Sequence, residues 1–227
     1  MFYWDWTMIF LLPGLLLGLW AQFKVKSAYA KYRRVGTQRG MTAEEVSRDM
    51  LTRDGNGYVD IQPIAGELTD NYDPRANVLR LSQGVYGNSS IAAIGIAAHE
   101  CGHAMQDRHD YAPLRLRSAI VPVVNIGSTL YFPIFIAGFL FSWQPLIWVG
   151  IACFALTFLF SMVTLPVEFN ASSRAMAMLR EGGYVTEDEL RGVKSVLDAA
   201  ALTYVAAAIS SLLQLVRLLL ISRNRRD

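Results

Sequence analysis

Apolar positions in this chain gather into long runs instead of recurring at the period of an amphipathic helix or a half-buried strand. The longest run, Ser118 to Val167, has fifty consecutive residues without an Asp, Glu, Lys or Arg. As a helix it would extend roughly 75 Å at about 1.5 Å per residue, enough to cross a hydrocarbon core of roughly 30 Å twice. The uncharged Ser142-Trp143-Gln144-Pro145 marks the turn of that hairpin. A second run, Trp6 to Phe23, has eighteen uncharged residues with Trp4, Trp6 and Trp20 near its ends, where amphipathic aromatics favour the membrane interface. Only Asp5 among charged residues precedes it and no small-residue cleavage pattern follows, so it reads as a retained anchor and not as a cleaved signal peptide. A third run, Ala199 to Ile221, is interrupted by Gln214 and Arg217 and followed by Arg223, Arg225 and Arg226.

The intervals between the runs carry shorter patterns. Thr42-Ala43-Glu44-Glu45 has capping-box spacing and predicts a helix from about Ala43 to Arg53 that stops at Gly55. Tyr58 to Ile61 and Ala76 to Leu81 read as strands separated by the turn-rich segment Thr69 to Pro74. The segment from Asn77 to Leu81 is expected to be either a sheet edge that pairs with an extended substrate or an interior strand. Ser89 or Ser90 caps a helix beginning at Ile91, and Thr186 to Glu189 repeats the capping-box spacing ahead of a helix that continues toward the last apolar run.

Charge adds direction. The 21 basic residues nearly balance 19 acidic ones, and a formal charge of +2 gives no footing for nucleic acid. Lys24, Lys26, Lys31, Arg33, Arg34 and Arg39 follow the first run with no acidic residue before Glu44, an excess normally kept in the cytoplasm. The expected organisation is an anchor at 1–23, a cytoplasmic region at 24–117, a transmembrane hairpin at 118–167, a cytoplasmic helix at 168–198, and an apolar helix with a basic tail at 199–227. For that last helix the basic tail favours an interfacial or bundle-packed helix over a fourth span. The fold class is a mainly α membrane protein: a helical bundle with a small α+β cytoplasmic lobe.

The informative feature is His99-Glu100-Cys101-Gly102-His103. Histidines four apart on a helix lie about 40° apart and one turn of rise apart, so both imidazoles can face one metal ion. Glu100 is offset by about 100° and can reach a metal-bound water, whose pKa zinc lowers while the glutamate takes its proton. With 3 His and 8 Glu in 227 residues, a chance match would occur in about one chain in 700. A hydrolytic zinc site usually has three protein ligands and an open position. Two candidates complete the set with His99 and His103. His109 has the metzincin spacing, although Gln106 stands where that motif has its turn glycine. Glu168, the first charge after the long run, is costly to desolvate at the edge of the hydrocarbon and calls for a partner such as a metal.

Taken together, Tyr72-Asp73-Pro74-Arg75, Val78-Leu79-Arg80-Leu81-Ser82, Ala97 to Ala104 with Gln106, Tyr111 to Arg117, and Leu165 to Ser172 resemble the YugP-type neutral zinc metallopeptidases of bacterial membranes. The resemblance covers nearly the whole chain. It implies a zinc-dependent endopeptidase of the glutamate-zincin kind, with one Zn2+ per chain, Glu168 as third ligand and Glu100 as catalytic base. It further implies a multi-pass protein of the bacterial inner membrane with its active site at the cytoplasmic face. Peptide or protein substrates, membrane proteins among them, and the lipid bilayer are the implied partners. More distantly the chain looks like the membrane zinc proteases of the heat-shock and prenyl-protein type. Those often carry an aspartate four residues after the ligand glutamate; Ser172 stands there, so its hydroxyl or Asn170 would have to orient a histidine. Arg174, Tyr204 and His109 are candidate oxyanion donors. The competing reading is a catalytically silent, zinc-stabilised membrane scaffold or protease partner, against which Glu100 argues because a structural site needs no carboxylate beside its ligands.

Overall fold

A computed structural model describes residues 6–223, so Trp4, Asp5, Arg225 and Arg226 lie outside the described residues. After a 3-10 turn at Trp6–Phe10 the order is α1 (Leu11–Tyr32), α2 (Ala43–Arg53), β1 (Asp60–Ile64), β2 (Asn71–Asp73), β3 (Val78–Ser82), α3 (Ile91–Arg108), α4 (Ala112–Leu140), α5 (Gln144–Glu181) and α6 (Glu187–Arg223). The chain forms two compact units. One comprises the stretches up to Gln22, from Leu116 to Pro166 and from Thr203 onward; the other comprises Phe23–Arg115 and Val167–Leu202.

The first unit is helical. Phe135, Ile147, Ile151, Phe154 and Leu218 form its buried cluster. Small residues set the approach of α4 to α5: a Cβ on Gly138 would lie 2.6 Å from the Ile147 nitrogen, and one on Gly150 would lie 2.8 Å from Phe135 Cβ. Close approach at small residues is how helices pack where lipid removes the hydrophobic drive between them. Among the described residues four helical segments are long and apolar enough to cross a membrane: Trp6–Tyr32, Ala112–Leu140, Gln144–Glu181 and Glu187–Arg223. The final apolar run is thus the end of one continuous helix with the length of a span. Its Arg217 Nε donates to Thr7 Oγ1 at 3.2 Å, and Gln144 Nε2 donates to Ser222 Oγ at 2.8 Å.

The second unit wraps helices around a three-stranded sheet. At the start of α2, Thr42 Oγ1 accepts from the Glu45 N–H while the Glu45 carboxylate accepts from the Thr42 N–H, the reciprocal box its sequence predicts. Buried Val46, Met50 and Leu51 from this helix join Leu79, Leu81, Ile94 and Ala97 in the core. Strand order is β1-β3-β2, with β1 parallel and β2 antiparallel to β3. One expectation is corrected here: the segment Asn71–Asp73, read as turn, is a short edge strand. Of the two alternatives for the segment from Asn77 to Leu81, the interior strand holds, since β3 is central and paired on both sides. The buried pattern of β3, four of its five residues under 9% exposed, follows from that position. Pro63 falls in β1, an edge strand where its missing N–H is tolerated.

Candidate metal centre

α3 supplies the two histidines. Ser90 caps it, its Oγ accepting the Ala93 N–H at 3.3 Å, and the helix runs unbroken through Arg108. Its small residues let neighbours come close. A Cβ on Gly102 would stand 2.4 Å from the carbonyl oxygen of Ala171, so glycine between the histidines is what admits α5 at this distance. Glu168, one turn before Ala171, is thereby carried against the imidazoles.

The ligand atoms of His99, His103 and Glu168 all lie within 4.8 Å of one another. Glu168 Oε2 is 3.2 Å from His99 Nε2 and 3.6 Å from His103 Nε2. Tetrahedral zinc with bonds of about 2.0–2.1 Å places its ligand atoms roughly 3.3–3.4 Å apart, and two imidazoles with one carboxylate are a donor set it accepts. The residues fit the ion. The Glu168 side chain is only 3% exposed, and a carboxylate so desolvated requires compensating partners.

The far side of each imidazole is held as well. Ser172 Oγ lies 3.1 Å from His99 Nδ1, so the serine four residues beyond Glu168 takes the orienting place that the sequence left open between it and Asn170. Gln106 Oε1 lies 3.0 Å from His103 Nδ1, while Gln106 Nε2 donates to the Val167 carbonyl at 2.7 Å and to Asn170 Oδ1 at 3.0 Å. Asn170 Oδ1 also accepts from Arg174 Nε at 2.9 Å, which commits that nitrogen of a candidate oxyanion donor. In the sequence Gln106 stands out only as the residue where the metzincin motif has its glycine. Its position three residues after His103, on the inward face of the same helix, was the available signal.

Glu100 points to the sheet. Its Oε2 accepts the backbone N–H of Tyr72 in β2 at 3.0 Å, and the Tyr72 hydroxyl donates to Asp107 at 3.0 Å. Burial, with the Asp107 charge beside it, pushes the Tyr72 hydroxyl well above its ordinary value. Burial works to lower His103, but its hydrogen bond to the Glu168 carboxylate and the charges of Glu100 and Glu168 outweigh it and leave His103 raised. Burial pushes the Cys101 thiol up to about 12, and both Cys101 and Cys153 are free.

His109 is elsewhere. It caps the end of α3 and its Nε2 lies 3.0 Å from Asp54 Oδ1, outside the group formed by His99, His103 and Glu168. Tyr204 belongs to the first unit. Residues 7–223 match the family described as "Putative neutral zinc metallopeptidase". The chain belongs to this family. It is similar to "Putative membrane protease YugP" of Bacillus subtilis (strain 168), 47% identical over 216 residues that cover 95% of this chain and 96% of that protein. No solved structure matches the chain. Among the described residues, the cluster on α3 and α5 is a group of side chains that could hold a metal ion.

Proposed function

We propose that this family member is a zinc-dependent endopeptidase of the bacterial inner membrane that cleaves membrane or membrane-proximal proteins at the cytoplasmic face. His99, His103 and Glu168 would hold one Zn2+, and Glu100 would act as general base. The observation that carries this reading is the convergence of three N/O ligand atoms beside a carboxylate anchored separately to a strand. When bound, zinc would supply a Lewis acid with an open position and an acidified water. Glu100 has one oxygen committed to Tyr72 N–H, which fixes the plane of the carboxylate, and a second with which to take a proton and return it to the leaving amine. Ser172 and Gln106 hold the two imidazoles in place. The cationic stretch from Lys24 to Arg39 supports placing this unit in the cytoplasm.

The test is metal content per protomer in detergent-purified protein, followed by turnover of a fluorogenic casein. Wild type should carry near-stoichiometric zinc, Glu168→Gln should lose it, and His109→Ala should keep it. Glu100→Gln should retain zinc and lose about 10²- to 10⁴-fold in turnover. Loss of zinc in His109→Ala with retention in Glu168→Gln would overturn the ligand assignment. Unchanged turnover in Glu100→Gln would leave a scaffold in place of a peptidase.

A further inference from the structure

Where α1 leaves its apolar stretch and α6 approaches its own, the second unit has a cationic groove of about 580 Å³ unconnected with the residues of the metal site. Lys24 and Lys31 line it from α1, and Arg191 and Lys194 from α6, with the hydroxyls of Ser27 and Ser195 between them. One carboxylate, Asp198, is also in the wall; it pairs with Lys194 at 2.6 Å, and Arg191 pairs with Asp188. Four cations against one lining carboxylate leave a net positive site. Tyr32 packs near Gly192, where an added Cβ would meet its ring at 2.8 Å, so the two helices approach closely beside the groove.

The chain itself sets the position of this groove relative to lipid. Lys24 is the first charge after the uncharged run from Trp6 to Phe23, and Leu202, in the groove wall, lies within the apolar run of α6. Cations therefore line the groove along its length, and Lys24 stands at the end where Ala199 and Leu202 begin its apolar wall. That is the chemical profile of a phospholipid at its glycerol, with phosphate on one side and acyl chains on the other. Basic pockets beside membrane helices bind such headgroups, and the negative surface of an anionic leaflet acts over a Debye length of about 8–10 Å. We propose that this groove is a binding site for the phosphate of an anionic phospholipid headgroup, with Lys24, Lys31, Arg191 and Lys194 as the recognising cations.

The experiment is native mass spectrometry of the full-length protein in detergent, titrated with phosphatidylglycerol, with phosphatidylcholine, and with phosphatidylglycerol in the presence of inorganic phosphate. Wild type should hold phosphatidylglycerol about tenfold more tightly than phosphatidylcholine. The Lys31→Gln/Arg191→Gln variant should lose that preference. Arg48→Gln, which removes an exposed cation on α2 away from the groove, should keep it, and a thermal melt of each variant confirms that it is folded. Equal binding of the two lipids by wild type, or an undiminished preference in the double variant, would overturn the proposal. Full displacement of the lipid by millimolar inorganic phosphate would assign the groove to a free phosphate and overturn the lipid source. Retention against phosphate supports the headgroup.

Discussion

A carbonyl oxygen can only accept, and at Gln106 that fixes the proton on a histidine two bonds away. Val167 O takes the amide N–H, so the amide oxygen faces His103, and His103 Nδ1 must carry the hydrogen between them. In the neutral ring the lone pair is then on Nε2, the atom 3.6 Å from Glu168 and the one a shared zinc ion would take. The free energy that keeps the tautomer is spread over Val167, Asn170 and the burial of Gln106, which is fully enclosed. Gln106→Met keeps the volume and removes every one of those bonds. We expect zinc affinity, measured by chelator competition, to fall about 10- to 100-fold, the usual cost of losing an orienting partner. Gln106→Glu should fall between, because its carboxylate still accepts from Nδ1 but cannot donate to Val167. Equal zinc affinity in all three proteins would show that the network does not set the tautomer.

At the scale of elements, the site depends on how near α5 comes to α3. Gly102→Ala places a methyl 2.4 Å from the Ala171 carbonyl oxygen, a backbone atom that cannot swing aside, so one helix must move. Overpacking of this kind costs about 1–3 kcal/mol, and here it also draws Glu168 away from His99. A lower melting temperature together with weaker zinc binding is expected, whereas Gly87→Ala, with open space around it, should change neither. This dependence explains what could be read in advance. Helices α2 and α3 were legible because their starts are written locally, in Thr42 with Glu45 and in Ser90, and the His-Glu-x-x-His face follows from helical spacing. Glu168 was legible only through the cost of burying it. Strand β2 was not legible: three residues are too few to show alternation, and Asn71 and Asp73 are turn formers. The central place of β3 was equally hidden, since nothing within five residues says which neighbours pair with them. Gln106 escaped because its partners lie on another helix, at Val167 and Asn170.

For the whole molecule the open question is on which side α6 ends. The cations Arg217 and Arg223 argue from sequence against a crossing, but Arg217 has an acceptor in the bundle, Thr7 Oγ1, and Thr7 is 1% exposed. An interfacial helix needs one polar face. Leu212, Leu213, Leu215, Leu218, Leu219 and Leu220 cover most of the circumference, and on the narrow face that Ser210, Gln214 and Arg217 share, Arg217 is bonded to buried Thr7 and not turned to water. Each leucine removed from water contributes about 1.5–3 kcal/mol, whereas a cation near an anionic leaflet is worth about 1 kcal/mol. The leucines outweigh the arginines, and α6 should cross. On the proposed topology, which puts the unit that contains Lys24 and Glu67 in the cytoplasm, Arg223 is expected outside. In a Cys153→Ser background, Arg223→Cys should react with a membrane-impermeant maleimide on intact cells. Glu67→Cys, on an exposed loop of the second unit, should react only after lysis. Labelling of position 223 only after lysis would mean that α6 returns its end to the cytoplasm and that the arginines, not the leucines, decide the topology.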